Sequence, residues 1–226
     1  MSWLFEPAAT PSLAVHGESS RFPLHRIYCI GRNYAAHARE MGASVDREHP
    51  LFFCKPADAV VTDDADVPYP SATHDLHHEV ELVVAIGRDA EGPVEVEQAT
   101  SLIYGYTVGL DLTRRDLQGL AKAKSHPWDV AKAFDASAPI GALRPGLPPA
   151  DAAVWLRVND SLRQQAALRD MVWSIAEMLA ELSRLFRLRA GDLVFTGTPE
   201  GVAALHRGDR FVAGLDGEEL LSGRIV

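Results

Sequence analysis

Residues 77–87, "HHEVELVVAIG", have the composition of a buried β-strand, because apolar and partly β-branched side chains fill the second half of the stretch. Two carboxylates, Glu79 and Glu81, interrupt the apolar run. Side chains two residues apart in a strand point to the same face, so we expect these carboxylates to lie side by side. Taken alone, the pattern "EVE" favours the wet face of an antiparallel strand over a functional site.

A third carboxylate follows the next long predicted strand. Residues 104–113, "YGYTVGLDLT", are typical of a strand, and Asp111 stands near its end. Three carboxylates that converge in a partly dry site repel one another, and a divalent cation offsets that cost. An all-oxygen ligand set suits Mg²⁺ or Mn²⁺. Glu79, Glu81 and Asp111 are therefore candidate metal ligands. His77 shares the predicted strand face of the glutamates, and the sequence indicates no role for it.

Composition excludes several classes of partner. The chain has 226 residues and a formal net charge of −9, with lysines and arginines scattered along it. A nucleic-acid partner would call for a basic face, and so would an anionic membrane surface. No apolar run approaches the roughly 18 residues that span a bilayer, and the first residues do not resemble a signal peptide. Cys29 and Cys54 lie in apolar segments, which predicts two reduced thiols in a cytoplasmic protein.

Local patterns predict one main helix among many strands. Residues 174–186, "SIAEMLAELSRLF", carry an apolar stripe of helical period, and Ser174 with Glu177 matches a capping box. Asn159 and Asp160 lie between two strand-like runs, which predicts a hairpin. The sum is a β-rich α+β fold with few helices.

Domain organisation follows from the same pass along the chain. Residues 1–21 show no strong period and are predicted to be an extended lead-in. Residues 22–226 contain no repeat, linker or low-complexity tract. We therefore expect a single domain over 22–226.

A possible general base lies in residues 31–42, "GRNYAAHAREMG". His37 and Glu40 are three residues apart, so on a helix they are neighbours. A carboxylate beside an imidazole orients the ring and raises its basicity, which suits activation of water. The spacing alone favours an exposed pair without function.

Four further polar residues follow the acidic segments. Each has an ordinary interpretation on its own, as a solvated cation, a helix-surface amide or a turn hydroxyl. The chain contains no P-loop, GxSxG, HExxH or GxGxxG motif. The four residues are Arg115, Gln118, Lys132 and Thr198.

Six segments, taken in order, resemble the fumarylacetoacetate hydrolase family. Each is weak alone, but six in the right order are specific, and together they span about residues 26–203. Within the family the chain is most similar to the fumarylpyruvate hydrolases of gentisate breakdown, and also to the acylpyruvate hydrolase and oxaloacetate decarboxylase branch. The segments are "GRNYAAHAREMG", "LFFCKPADAVV", "HHEVELVVAIG", "YGYTVGLDLTRRDLQ", "PWDVAKAFDASAPIG" and "GDLVFTGTPEGV".

The resemblance implies a fold and a set of roles. The fold would be a mixed β-sheet roll or sandwich with few helices, usually as a homodimer, and residues 33–42 would form a short, mobile lid helix. The resemblance implies that the three acids bind Mg²⁺ or Mn²⁺ and that the lid brings His37 and Glu40 over the metal. Substrate would be contacted by Lys132, which also stabilises charge, and by Arg32, Arg115, Gln118 and Thr198.

The activity implied is hydrolysis of a 2,4-diketo acid, such as fumarylpyruvate, to fumarate and pyruvate in aromatic catabolism. Oxaloacetate decarboxylation, and isomerisation or decarboxylation of a hydroxylated dienoic diacid, are alternatives that use the same site. A non-catalytic β-rich module that binds a small acid is the alternative outside enzymes. One departure is that Ser125-His126 stands where relatives commonly carry a glycine.

Overall fold

Strands form most of the regular structure, and the helices are few and short. The computed structural model describes residues 2–226. Within that range the strands are, in chain order, β1 (Ser12–Ala14), β2 (Arg21–Pro23), β3 (Ile27–Gly31), β4 (Leu51–Lys55), β5 (Val60–Val61), β6 (Leu76–His77), β7 (Val80–Ile86), β8 (Ile103–Leu110), β9 (Thr113–Arg114), β10 (Ala138–Pro139), β11 (Arg144–Pro145), β12 (Ala153–Val158), β13 (Ser161–Ala167), β14 (Leu193–Phe195), β15 (Ala204–Leu205), β16 (Arg210–Leu215) and β17 (Glu218–Arg224). The helices of the same range are α1 (Ala35–Glu40), α2 (Val96–Ala99), α3 (Arg115–Ala123), α4 (Asp129–Lys132) and α5 (Ile175–Leu185), with 3₁₀ turns at Ala57–Ala59, Thr100–Leu102 and Leu168–Asp170.

Two larger sheets organise these strands. The first is mixed, in the order β11-β8-β7-β14-β3-β4, with β14 parallel to β3 and antiparallel to β7. The second is antiparallel, in the order β13-β12-β16-β17. A three-stranded sheet, β15-β6-β9, lies apart from both. The predicted β-rich α+β fold with few helices is confirmed.

Strand β7 is buried on both faces and forms the centre of the core. Its side chains at Val80, Leu82, Val84 and Ile86 join a cluster that also contains apolar residues of β12 and β16. The alternate residues, including Val83, join a second cluster with residues of β1, β3 and β14. Burying each such side chain stabilises the fold by about 1.5–3 kcal/mol. The strand that carries Glu81 and directly follows Glu79 is therefore held rigidly from both sides.

The register of β7 against β8 brings two candidate acids together. Val80 pairs with Leu110 and Glu81 with Gly109, so Asp111 emerges beside the start of β7. The Asp111 backbone N–H donates to the Glu79 carbonyl oxygen at 2.8 Å. This register explains why acids far apart in sequence meet.

Several local predictions are confirmed. Helix α5 begins with a capping box, in which the Glu177 N–H donates to Ser174 Oγ and the Ser174 N–H donates to the Glu177 carboxylate. Strands β12 and β13 form the predicted hairpin, and Asn159 and Asp160 both have positive φ, as a type I′ turn requires.

The start of the chain contributes to the core. Strand β1 pairs with β2, and Leu13 is buried in the second cluster. The proposed division between residues 1–21 and 22–226 stays a prediction. Among residues 2–226, every helix is too short or too polar to cross a lipid bilayer.

Candidate active site

Three buried carboxylates converge at the ends of β7 and β8. Glu79, Glu81 and Asp111 each offer an oxygen, and these oxygens all lie within 4.8 Å of one another. The exposed fractions of the three residues are 5%, 1% and 1%. Charges buried this closely need compensation, because their mutual repulsion is weakly screened.

Positive side chains compensate Glu79 and Asp111. Lys132 Nζ lies 2.6 Å from Glu79 Oε2 and 2.5 Å from Asp111 Oδ2, and Arg115 Nη2 lies 2.5 Å from Glu79 Oε1. Burial raises the pKa of Glu79, but the charges of Lys132 and Arg115 outweigh burial and hold that pKa well below its ordinary value. Lys55 Nζ lies 2.9 Å from Asp111 Oδ1.

Glu81 is the carboxylate without such a partner. Among the described residues it accepts one hydrogen bond, from the Gly197 N–H at 2.7 Å, and pairs with no cation. Burial, with the charges of Asp111 and Glu79, raises its pKa well above the ordinary value. A cation bound here would offset both the energetic cost of burying the Glu81 charge and its repulsion by Asp111 and Glu79.

The residues present fit a hard divalent cation. The donors are all carboxylate oxygens, and Glu81 is buried among them without a cationic partner in the described residues. Mg²⁺ and Mn²⁺ prefer oxygen ligands. Glu79, Glu81 and Asp111 could therefore hold either ion; their individual roles as ligands stay a prediction.

Gly197 sets the position of the donor to Glu81. Its φ is +93°, and a Cβ there would lie 2.6 Å from the Cβ of Asn33. Both the conformation and the contact require glycine. The segment after β14 can therefore present its N–H to Glu81 only with this residue.

A buried asparagine anchors the start of the predicted lid. Asn33 Nδ2 donates to the carbonyls of Trp173, at 3.0 Å, and Thr196, at 2.8 Å, while its Oδ1 accepts from the Trp173 N–H at 2.7 Å. Helix α1 follows after one residue. The sequence analysis did not single out Asn33, because the amide is recognisable as an anchor only through distant backbone groups.

His37 and Glu40 lie on α1 and contact each other. His37 Nδ1 is 3.3 Å from Glu40 Oε2, and the Glu40 carboxylate accepts from the Gly201 N–H at 3.1 Å. Burial lowers the pKa of His37, and the nearby Glu79 and Glu40 charges oppose that effect only partly. The imidazole is therefore neutral at neutral pH and able to accept a proton.

One cavity collects nine of the ten predicted site residues. Its volume is about 40 Å³. Glu40 is the residue outside the lining, and it reaches the cavity through His37. The nine are Arg32, His37, Glu79, Glu81, Asp111, Arg115, Gln118, Lys132 and Thr198.

Comparison with known proteins identifies the family. Residues 26–226 match the family described as "Fumarylacetoacetate (FAA) hydrolase C-terminal". The chain belongs to the fumarylacetoacetate hydrolase family. The resemblance inferred from the six ordered segments is thereby confirmed.

Relatives within the family carry different activities. Fumarylpyruvate hydrolase from Pseudomonas aeruginosa, solved in complex with Mn²⁺ and pyruvate, is 51% identical, with a TM-score of 0.95 over 100% of this chain and 99% of that one. Oxaloacetate tautomerase YcgM of Escherichia coli (strain K12) is 41% identical over 88% of this chain and 92% of its own. The 5-carboxymethyl-2-hydroxymuconate delta-isomerase from Mycobacterium smegmatis is 32% identical, with a TM-score of 0.81 over 91% and 80%.

In this fumarylacetoacetate hydrolase family member, His77 supports Arg115. The expectation that His77 shares a strand face with the glutamates is wrong, because β6 ends at His77 and β7 begins at Val80. Instead, Arg115 Nε donates to His77 Nδ1 at 3.4 Å, and His77 Nε2 lies 2.9 Å from Asp75 Oδ1. Asp75 and His77 thus orient the guanidinium that pairs with Glu79.

Gln164 is a further residue that the sequence analysis missed. Its Oε1 accepts from the Val80 N–H at 3.1 Å, and its Nε2 donates to the Pro199 carbonyl at 2.9 Å. These backbone partners fix the orientation of the amide. Nε2 therefore also donates to Thr198 Oγ1, at 2.8 Å, which leaves the hydroxyl proton of Thr198 free to donate elsewhere.

Gln164→Leu is expected to destabilise the fold. The change leaves the Val80 N–H and the Pro199 carbonyl buried without partners, and each such group costs about 1–3 kcal/mol. We expect the free energy of unfolding, measured in urea, to fall by at least about 2 kcal/mol. The matched control is Gln165→Leu at the adjacent exposed position, which should change stability little. Equal stability of the two variants would contradict the proposed anchoring.

Proposed function

We propose that this family member is a metal-dependent hydrolase that cleaves a 2,4-diketo acid, with fumarylpyruvate giving fumarate and pyruvate. The observation that carries the proposal is that His37, paired with Glu40, lines the same cavity as the three carboxylates. A relative that is 51% identical was crystallised with Mn²⁺ and pyruvate. The placement of a base beside a candidate metal centre favours hydrolysis, which needs an attacking water.

The pyruvyl end of the substrate would lie at the carboxylates. Mg²⁺ or Mn²⁺ held by Glu79, Glu81 and Asp111 would supply positive charge to stabilise the enolate that cleavage produces. Lys132 adds a buried ammonium at the same place. These fixed charges would stabilise the transition state more than the neutral diketone.

Two side chains that can both donate and accept hydrogen bonds have their acceptor atoms occupied, so their donor groups remain free for substrate. Gln118 Oε1 accepts from Arg115 Nη1 at 2.7 Å, so its amide N–H groups remain for the substrate. Thr198 is similarly left with its hydroxyl proton, because Gln164 occupies an acceptor position. Both side chains are suited to hold the C1 carboxylate of the diketo acid.

His37 would take a proton from the water that attacks the C4 carbonyl. Glu40 would hold the ring and stabilise the imidazolium that results. The C3–C4 bond then breaks, its electron pair forming the enolate of pyruvate, and the acyl group leaves as the second carboxylic acid. Protonation of C3 by solvent completes pyruvate, and His37 releases to solvent the proton that it took from water.

Substrate entry would require movement of α1. The cavity of about 40 Å³ holds only a few water molecules and is far smaller than a usual ligand pocket. Helix α1 spans six residues, too few for a stable isolated helix. We therefore assign α1 the role of lid.

The pH dependence of hydrolysis should reflect His37. Because its pKa is lowered from 6.5, the neutral base persists below that pH, and activity falls as pH drops through the lowered value. In a plot of kcat/KM against pH, we expect the fall on the acid side to have its midpoint below pH 6.5. In Glu40→Gln the midpoint should move to lower pH, since the Glu40 charge raises the pKa of His37. A midpoint that moves to higher pH would contradict this assignment.

The test of the proposed function is an absorbance assay with Mg²⁺ or Mn²⁺ across fumarylpyruvate, acetylpyruvate and oxaloacetate. We expect hydrolysis of an acylpyruvate to exceed any reaction of oxaloacetate, and chelation to abolish it. Faster turnover of oxaloacetate, with no hydrolysis of acylpyruvates, would overturn the proposal.

Oxaloacetate chemistry is the second candidate. The relative from Escherichia coli, 41% identical, is an oxaloacetate tautomerase. Oxaloacetate presents the same carboxylate and 2-oxo group, and its tautomerisation or decarboxylation needs no attacking water. His37 would then transfer a proton to or from carbon. Because the chain belongs to a family of enzymes, we do not propose the alternative of a non-catalytic module that binds a small acid.

Three further properties remain proposals. We propose a homodimer, cytoplasmic location and a place in aromatic catabolism through gentisate. Each rests on the resemblance or on composition. Size-exclusion chromatography with light scattering tests the first directly.

A further inference from the structure

A second group of side chains lies where the cavity meets a larger one. Arg32, Met41, Lys122 and Trp128 line both the inner cavity and a neighbouring cavity of about 520 Å³. None of the three carboxylates lines the larger cavity. These four residues therefore form the passage between the candidate metal centre and the outer space.

Arg32 and Lys122 are cations without acidic partners. Among residues 2–226, neither side chain donates a hydrogen bond or pairs with a carboxylate, whereas Lys132 and Arg115 both do so. Both residues are exposed at the passage. Partial desolvation and the charge of Arg115 lower the pKa of Lys122, the charge of Glu79 opposes them, and that of Arg32 lowers the pKa further. The passage thus presents two cations that no carboxylate contacts directly.

The conformation of Arg32 is unusual for its residue type. Its φ is +61°, in the left-handed region that arginine rarely occupies. Such conformations are strained and concentrate at functional sites. The strained backbone conformation therefore occurs at Arg32, whose guanidinium lines the passage.

Flat and apolar side chains connect the passage to the acids. Phe53 and Trp128 line the inner cavity with ring centroids 6.1 Å apart, and Met41 completes the apolar wall. Lys122 Nζ lies 5.1 Å from the Trp128 ring centroid. A planar, conjugated chain would pack against this apolar wall, with its far end at the cations.

We propose that Arg32 and Lys122 form a second anion-binding subsite, which receives the distal carboxylate of a diacid. The inference deepens the proposed function and rests on it. Its content is the pair of residues that recognises the acyl end of the substrate, through a carboxylate at the end of the acyl group. A neutral acyl group would leave both cations unpaired, so the subsite selects fumarylpyruvate over acetylpyruvate.

The test compares two substrates in one variant. Lys122→Met removes the charge and keeps the length of the side chain. A hydrogen bond between charged groups contributes about 1.5–3 kcal/mol, so kcat/KM for fumarylpyruvate should fall about tenfold or more, mainly through KM. For acetylpyruvate we expect less than about a twofold change. Lys122→Arg should retain the preference, because it retains the charge.

The control variant is Lys124→Met. Lys124 is exposed, lies two residues further along the chain, and lines neither cavity. It should leave both substrates unaffected. Melting temperatures of all variants show whether any of them is misfolded.

The possible outcomes are distinguishable. Equal losses for both substrates in Lys122→Met would place Lys122 at the common pyruvyl end and overturn the subsite. No loss for fumarylpyruvate in Lys122→Met combined with Arg32→Met would overturn it as well. If the wild-type protein hydrolyses acetylpyruvate but not fumarylpyruvate, the subsite is wrong, while hydrolysis of a 2,4-diketo acid stands with a different acyl group. If it hydrolyses neither, the proposed function itself is wrong.

Discussion

Glu79→Gln combined with Glu81→Gln is expected to abolish metal-dependent activity, with a loss of at least about a thousandfold, because the metal contributes several kcal/mol to the transition state. The rise in melting temperature that Mg²⁺ or Mn²⁺ produces should disappear in the same variant. Both effects follow from the loss of two of the three carboxylates that converge within 4.8 Å. Activity and calorimetry, each with and without a chelator, measure them.

The single variant Glu81→Gln separates loss of metal from loss of fold. Burial and the charges of Asp111 and Glu79 raise the pKa of Glu81, so its negative charge opposes folding of the metal-free protein, and a neutral glutamine should not lower the metal-free melting temperature. The Gly197 N–H keeps an oxygen to donate to. We expect the metal-induced shift to be lost in this variant while the metal-free protein stays folded.

An exposed glutamate pair provides the matched control. Glu95 and Glu97 are also two residues apart, and both are exposed. Their double replacement by glutamine should change neither the activity nor the metal-induced shift. A double variant at Glu79 and Glu81 that keeps full activity after exhaustive chelation would rule out the metal centre.

His37→Ala is expected to reduce hydrolysis by about 10²–10⁴-fold, which is the usual contribution of a general base. The metal-induced shift in melting temperature should remain, because His37 is not among the three carboxylates. This combination is the opposite of the result expected for Glu81→Gln. His16→Ala, at an exposed histidine outside the cavity, is the control.

Oxaloacetate makes the His37 experiment discriminating. If the base activates water, His37→Ala should lose acylpyruvate hydrolysis and retain decarboxylation of oxaloacetate. Equal losses of both activities would instead indicate proton transfer to carbon, which the tautomerase alternative requires. Wild-type hydrolysis by the variant would remove His37 from the mechanism.

The central strands and the spacing of Glu79 and Glu81 were predictable from sequence because they depend on short-range periodicity, whereas a function for these acids was indicated only by the ordered family segments. Glu79 and Glu81 are separated by one strand period, and the predicted strand that ends near Asp111 pairs with β7 as an antiparallel neighbour. The capping box of α5 and the hairpin turn at Asn159 are likewise encoded within a few residues. The glutamate spacing, the capping box and the hairpin turn require only local geometry, whereas the approach of Asp111 depends on the register of β7 against β8.

The supporting residues were not predictable, because their partners are distant in sequence. Gln164 lies next to Gln165 in the same strand, and nothing in "RQQAAL" distinguishes the buried amide from the exposed one. Asn33 contacts backbone groups more than 100 positions away. Only the folded chain brings these groups together.

The departure at residue 125 has a backbone explanation. Ser125 has φ of +54°, a left-handed conformation that glycine adopts without steric cost. A glycine in this region of relatives would suit the same turn. The substitution keeps the turn and leaves Trp128 and Lys132 in the cavity lining.

If α1 opens as the proposed lid, it would rotate about its anchored start at Asn33, and its far end would have to release the hydrogen bond from the Gly201 N–H to Glu40. In such a rotation, the displacement of a residue grows with its distance from the anchored end. Met41 lies four residues beyond His37, about 6 Å further along a helical path. A small rotation that clears Met41 from the passage therefore moves the imidazole less. In this proposed motion, Met41 at the far end would open the passage to substrate, while His37, nearer the anchored end, would stay close to the carboxylates. The size of residue 41 can accordingly tune how fast substrates enter without displacing the base.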